Sequence, residues 1–136
     1  MSNISTIALS GMDAAARRLD VSASNIANVS TTGALPDATG AVPSGAPRAY
    51  DPLELVQTAS AGGGVQTSVK TVTPATTAVS DPQAPFANQD GLVAAPNVDL
   101  AQEMVNQLIA SYSFAANATV MKADDRMSKT LLDVTA

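Results

Sequence analysis

Asp124 and Asp125 are the only adjacent carboxylates in the chain, and Gly62-Gly63-Gly64 is its only glycine run. Two carboxylates could divide acid and base duties or hold a cation, and a glycine run could cradle a phosphate. Neither pattern is complete. Neighbouring positions on a helix point in different directions, so the two aspartates read as a solvated helix face. No lysine follows the glycines at phosphate-loop spacing and no strong helix opens behind them, so a flexible hairpin turn is expected there. Cysteine and histidine are both absent. Disulfides, His/Cys zinc sites and catalysis by a Ser-His or Cys-His pair are therefore excluded. Asn3, Asn28 and Asn117 each open an Asn-X-Ser/Thr triplet, but two of the three fall inside expected helices and read as chance matches. These residues predict no enzyme, no cofactor, no metal site and no small-molecule substrate.

The composition narrows the class further. The 136 residues carry a net charge of −5, with basic residues scattered singly apart from Arg17-Arg18. No basic stripe interleaved with aromatics exists, which argues against nucleic acid as a partner. No apolar run approaches the roughly 18 residues of a membrane span. MSNISTIALSG lacks both a basic start and a continuous apolar stretch, so export by a cleaved secretory signal is not expected. Hydrophobic residues make up 46% but aromatics only 3%, and much of the apolar count is alanine. Burial stabilises by roughly 25 cal/mol per Å² of apolar area, so such a chain is expected to complete its core with partners.

The helix breakers divide the chain into three. All eight prolines lie between 36 and 96, and every glycine except Gly11 lies between 33 and 91. This sets out an N-terminal helix within 1–33, a Gly/Pro-rich middle over 34–96 and a C-terminal helix within 97–136. In the first, Leu9, Met12, Ala16, Leu19, Ala23 and Ile26 recur at spacings of 3, 4, 3, 4 and 3, the pattern of a heptad seam. Gly11 costs such a helix about 1 kcal/mol and marks close packing. In the last, Val105, Ile109, Tyr112, Ala116, Val120, Ala123, Met127, Leu131 and Val134 keep a helical period, with Asn97 or Asp99 placed to cap its start and Asp99 at capping-box spacing from Gln102. At ~1.5 Å per residue that helix exceeds about 50 Å, a length suited to packing along a filament or bundle. In the middle, LELVQTA (53–59) and GVQTSVKTV (64–72) predict a β-hairpin near 53–72, with 73–96 expected as loop. The fold class expected is mainly α: two long terminal helices packing as a coiled-coil-like pair in a helical assembly, around a small irregular β-containing middle.

The string ASNIANVSTTG (23–33) then carries more than its parts. Residue by residue it is a helix end with polar caps, Asn28 being suited to a left-handed terminus and Thr31-Thr32-Gly33 to a sharp turn. As a string, with LSGMDAAARRLDVSASNIAN (9–28), it resembles the N-terminal signature of bacterial flagellar basal-body rod and hook proteins. GLVAAPNVDLAQEMVNQLIASYSFAANATVMKADDRMSKTLLDV (91–134) resembles the same family independently. The short length, GGVQTSVKTV and GLVAAPNVDLAQEMV are similar to its proximal-rod members, whereas 34–52 departs from the family pattern.

That resemblance implies a structural subunit of the flagellar rod that transmits torque. It implies export through the flagellar type III apparatus, with residence in the periplasmic basal body. The implied partners are copies of itself and other axial proteins. The expected subunit-interface residues are Leu9, Met12, Leu19, Asn25, Ile26 and Asn28 on the first helix, with the Asn25 amide bonding a neighbour's backbone. On the second they are Val105, Ile109, Tyr112, Val120, Met127 and Leu131. The alternatives are a different rod or hook subunit, or a type III-secreted coiled-coil interaction protein.

Overall fold

A computed structural model describes residues 3–37 and 39–135; Met1 and Ala136, the outer ends of the segments set out above, lie outside the described residues. The order of elements is α1 (Asn3–Ala27), β1 (Leu53–Ala59), β2 (Val65–Thr71), β3 (Thr76–Ser80), β4 (Leu92–Pro96) and α2 (Leu100–Thr135). Helix α2 opens where Asp99 Oδ1 accepts the backbone N–H groups of Ala101 and Gln102 at 2.9 and 3.1 Å, an N-cap that satisfies two donors the first turn cannot pair internally. Helix α1 closes differently from expectation. Among the described residues no non-glycine residue has positive φ, so Asn28 is not a left-handed cap. Its Nδ2 instead donates to the Ser24 carbonyl at 2.9 Å, and its backbone N–H bonds the same oxygen at 3.1 Å. The side chain adds a second donor to a carbonyl that the last i→i−4 bond already uses, and no inversion of φ is needed.

The middle is two hairpins. β1 and β2 pair antiparallel, with Leu53 opposite Thr71 and Ala59 opposite Val65, as the alternating sequence predicts. Their tip lies on α1: Ser10 Oγ donates to the Ile7 carbonyl at 2.7 Å and accepts the Val65 N–H at 3.1 Å. Gly64 sits at φ +86° against Ser10, where a Cβ would be well inside van der Waals contact of the serine hydroxyl. The glycine run thus provides a left-handed backbone and a close approach to a helix.

The second hairpin corrects the expectation of loop over 73–96. β3 and β4 pair antiparallel, Thr76 opposite Pro96 and Ser80 opposite Leu92. These strands are five residues each, and the breakers around them (Pro74, Pro82, Pro85, Gly91) hid their Thr/Val content from pattern reading. β4 takes a second neighbour through Gly33, which exchanges two 2.9 Å backbone hydrogen bonds with Ala94. Val93, Ala94, Ala34 and Pro52 are buried around this junction, a small core of small residues.

The two helices pack on each other antiparallel: Ser5 Oγ donates to Asp124 at one end, and Ser22 Oγ donates to the Glu103 carbonyl at 2.8 Å near the other. Midway, a Cβ on Gly11 would lie 2.6 Å from Asn117 Oδ1, so only glycine admits the Asn117 amide there. Of the heptad positions read from the sequence of α1, Met12 is buried in this seam, while Leu9, Ala16, Leu19 and Ala23 are exposed.

Candidate functional site

Four α2 residues spaced seven apart run down the α1-facing side of the helix: Glu103, Ala110, Asn117 and Asp124. Glu103 and Asn117 are half-buried, and Ala110 and Asp124 are buried. The opposing α1 residues are equally small or polar: Ala8, Gly11, Ala15, Ser22 and Asn25. The intrachain seam is therefore held by close approach and hydrogen bonds, with Met12 as its one large buried apolar side chain on α1.

Its tightest node is Asn25, 1% exposed. Nδ2 donates to the Leu53 carbonyl at 2.8 Å and to Glu103 Oε1 at 2.6 Å. Oδ1 accepts the Leu53 N–H at 2.9 Å and the Tyr50 hydroxyl at 3.1 Å. Leu53 is thus bonded through both its N–H and its carbonyl, much as a neighbouring strand would bond it. Tyr50 OH lies 3.0 Å from Ser24 Oγ, and Glu103 Oε2 accepts Asn106 Nδ2 at 3.2 Å. One amide therefore joins α1, the start of β1 and the first turn of α2, with both donors and both acceptors used. It has nothing left to offer a neighbour's backbone, contrary to the role expected for it; Asn28 likewise spends its Nδ2 within the chain.

Sequence reading missed Glu103, Tyr50 and Ser22. The available signal was the seven-residue spacing of Glu103, Ala110, Asn117 and Asp124, which is invisible to a search for apolar periodicity.

The other expected residues lie mostly on the outside. Leu9, Leu19, Val105, Ile109, Tyr112, Val120, Met127 and Leu131 are all exposed, Leu19 at 44% and Tyr112 at 70%. Ile26 is half-buried. The chain thus packs its helices through small and polar side chains and turns its large apolar ones to solvent. Large apolar side chains left exposed along helix faces in this number mark an interaction site.

Among the described residues no convergent chemistry competes with this surface. The groove between α1, α2 and β1, about 310 Å³, carries Arg18, Glu54 and Glu103 but no nucleophile paired with a base. Among the described residues no group of three or more His, Cys, Asp or Glu side chains is placed to hold a metal ion, and no helix is long and apolar enough to cross a membrane.

Two end helices locked by a polar seam, apolar on their outer faces and joined through a double hairpin, make the architecture of a structural subunit. The family comparisons give the class. Residues 6–34 match the flagella basal body rod protein model, and residues 89–134 match the C-terminal model of the flagellar basal body rod FlgEFG proteins. The chain is 38% identical over 135 residues to the flagellar basal-body rod protein FlgC of Salmonella typhimurium, and 39% identical over 135 residues to that of Escherichia coli O6:H1; each alignment covers 95% of this chain and 94% of the relative. It is 31% identical over 140 residues to FlgC of Bacillus subtilis, covering 94% and 93%. The chain belongs to the flagellar basal-body rod protein C family, and it is a structural rod subunit.

Proposed function

We propose that this chain is a proximal-rod subunit whose paired helices line the inner tube of a helical assembly, packing their outer apolar strips against copies of itself and other axial proteins. It reaches the periplasm through the flagellar type III export apparatus without a cleaved signal, and it transmits torque through packed helices. The observation that carries this reading is the outward apolar face of α2, where Val105, Leu108, Ile109, Tyr112 and Val120 are each more than two-fifths exposed. Burying one such side chain is worth about 1.5–3 kcal/mol, so a row of them favours assembly over the free subunit.

Leu19→Asp tests it. A charge at an interface that becomes dry costs several kcal/mol, while the free subunit, in which Leu19 is exposed, keeps its fold. The expected result is an exported, folded protein in cells that build no rod and do not swim; normal swimming would refute burial of the outer strip of α1, and Tyr112→Asp applies the same test to α2.

A further inference from the structure

Each strand of the two hairpins has one edge that its hairpin partner does not cover. On β1 the outward N–H and carbonyl of Leu53 are bonded to Asn25. On β2 the outward N–H of Val65 is bonded to Ser10, and the strand carries Lys70. On β4 Ala94 exchanges two bonds with Gly33, while Leu92 donates to Asn88 Oδ1 and accepts the Asn88 N–H. Only β3 is bare. The bonds at its two ends fix the phase of its ladder: Asn97 N–H donates to the Ala75 carbonyl and Asp81 N–H to the Gly91 carbonyl, both at 2.9 Å. Thr77 and Val79 therefore turn their backbone groups toward β4, and Thr76, Ala78 and Ser80 turn both N–H and C=O away from it. Among the described residues those outward groups have no partner.

An open edge is ordinarily blunted by a charge, a proline or a bulge. The strand Thr76–Ser80 reads TTAVS and has none of the three, its register with β4 is regular, and Thr77 to Ser80 are exposed. Its sequence has a second property. Counted outward from Ala78 in both directions, Thr77 matches Val79 in branched shape, Thr76 matches Ser80 in its hydroxyl, and Pro74 matches Pro82. Only Ala75 against Asp81 breaks the symmetry. A segment that reads nearly alike in both directions is complementary to itself in antiparallel pairing, which singles out a second copy among the strands that could add to this edge.

We propose that β3 of the free subunit pairs antiparallel with β3 of a second copy, Ala78 facing Ala78 across a two-fold axis. Thr76 then faces Ser80 and Thr77 faces Val79. Each outward residue meets an outward residue, so all three exchange both backbone hydrogen bonds with the other copy and no group of the edge is left over. The side-chain pairs are hydroxyl with hydroxyl and branched with branched, the kinds that stabilise cross-strand contacts. Pro74 and Pro82 lie two residues beyond either end of the strand and fall at the same height, so the ladder stops where the donors stop. Asp81 of each copy falls opposite Ala75 and meets no like charge. The product is a four-stranded sheet in the order β4, β3, β3, β4. Such a contact is isologous and closes as a dimer. It is separate from the outer strips of the helices, and it does not rest on the rod-subunit reading.

Sedimentation of the purified full chain tests it. The parent is expected to shift from the mass of one subunit to that of two as its concentration rises. Ala78→Lys and Ala78→Glu each set like charges against one another across the axis. Ala78 is exposed, so both variants should keep the parent's circular dichroism. Each alone is expected to stay a monomer, and an equal mixture to form a dimer holding one of each, weakened by salt. A parent that is monomeric throughout, a lysine variant that dimerises like the parent, or a mixture that does not pair would overturn the proposal. Disulfide trapping reads the register, since the chain has no cysteine of its own. Oxidised Ala78→Cys should link two copies, because the Cα atoms of a hydrogen-bonded pair stand about 5.5 Å apart. Ser80→Cys should not, its two copies lying four residues apart along the ladder, about 14 Å. Linking by S80C as readily as by A78C would overturn the register. None of these outcomes bears on the rod reading, which Leu19→Asp and swimming test separately.

Discussion

Removing the Asn25 amide is the sharpest test of the polar seam. Asn25→Ala deletes four hydrogen bonds, to the Leu53 carbonyl, the Leu53 N–H, the Tyr50 hydroxyl and Glu103. A neutral intramolecular hydrogen bond contributes about 1 kcal/mol net, and one to a charged group about 1.5–3 kcal/mol. Glu103 is half-buried, so water recovers part of its bond and the lower figure applies. The two Leu53 backbone groups lose their partner beside a fully buried position, where an unmet group costs about 1–3 kcal/mol if it stays dry. Together these give a loss of roughly 4–6 kcal/mol, against a total stability of about 5–15 kcal/mol for an ordinary domain. At about 3–4 °C per kcal/mol for a chain of this size, the unfolding midpoint should fall by roughly 12–24 °C.

The assay is urea and thermal unfolding of the purified chain followed by circular dichroism, with Asn25→Asp as the partner variant. Aspartate keeps the acceptor for Leu53 N–H and Tyr50 but sets a carboxylate oxygen where Nδ2 stands, 2.6 Å from Glu103 Oε1. Like charges at that distance raise the pKa of the new carboxyl. Its penalty is therefore full at neutral pH and lessens as pH falls through the raised value, as protonation restores a donor. An unfolding free energy for Asn25→Ala within about 1 kcal/mol of the parent would refute the reasoning. So would an Asp variant whose deficit does not change between pH 7 and pH 4.

Three further outcomes follow from the same fold. Gly64→Ala should lose about 1–2 kcal/mol from the left-handed backbone alone, and more from displacing Ser10; Ser10→Ala in the same chain should recover the steric part, read by the same unfolding curves. Asp37 is held below its ordinary pKa, first by the Thr39 hydroxyl and then by the Ala41 and Thr39 N–H groups. Its turn should therefore hold above the ordinary carboxylate range and loosen as pH falls through the lowered value, seen as a depressed midpoint in an NMR titration. Deleting four or five residues around Thr39–Ser44, all exposed or half-buried, should leave swimming largely intact because loop closure costs little, whereas deleting 105–109 should abolish it by turning the apolar face of α2.

Both helices, the N-cap at Asp99 and the first hairpin were legible because each has a local cause: apolar period, a capping carboxylate, alternation around a glycine turn. The second hairpin was not, since β3 and β4 owe their pairing to Gly33 and to burial of Val93 and Ala94, contacts about 60 residues apart in the chain. The seam was illegible for another reason. Apolar periodicity finds the face a helix needs to bury, and it takes for granted that the burial happens within the chain. Here Leu19, Val105 and Tyr112 carry the period and remain in solvent, while Glu103 and Asn117 carry the contact. Asn25 was singled out by its place in a motif, yet its partners Tyr50, Leu53 and Glu103 are brought to it only by the fold.

A polar seam also solves a problem that an apolar one would create. Helices with large apolar strips on both faces could pair through either face, and a subunit able to pair wrongly would assemble wrongly. Apolar contacts tolerate slippage by a turn; hydrogen bonds and close approaches do not. Sliding α2 by one turn would carry Glu103 away from Asn25 and Ser22, and Asn117 away from Gly11, leaving buried polar groups unmet at about 1–3 kcal/mol each. A single buried polar residue sets register in helical coiled coils by the same reasoning, and here four positions act together over some 30 Å of helix at 1.5 Å per residue. The register of the pair is settled within the chain before any neighbour is met. Every large apolar side chain on the outside of α2 then stands at a fixed height relative to α1, which is the condition for one subunit to present the same surface to the next.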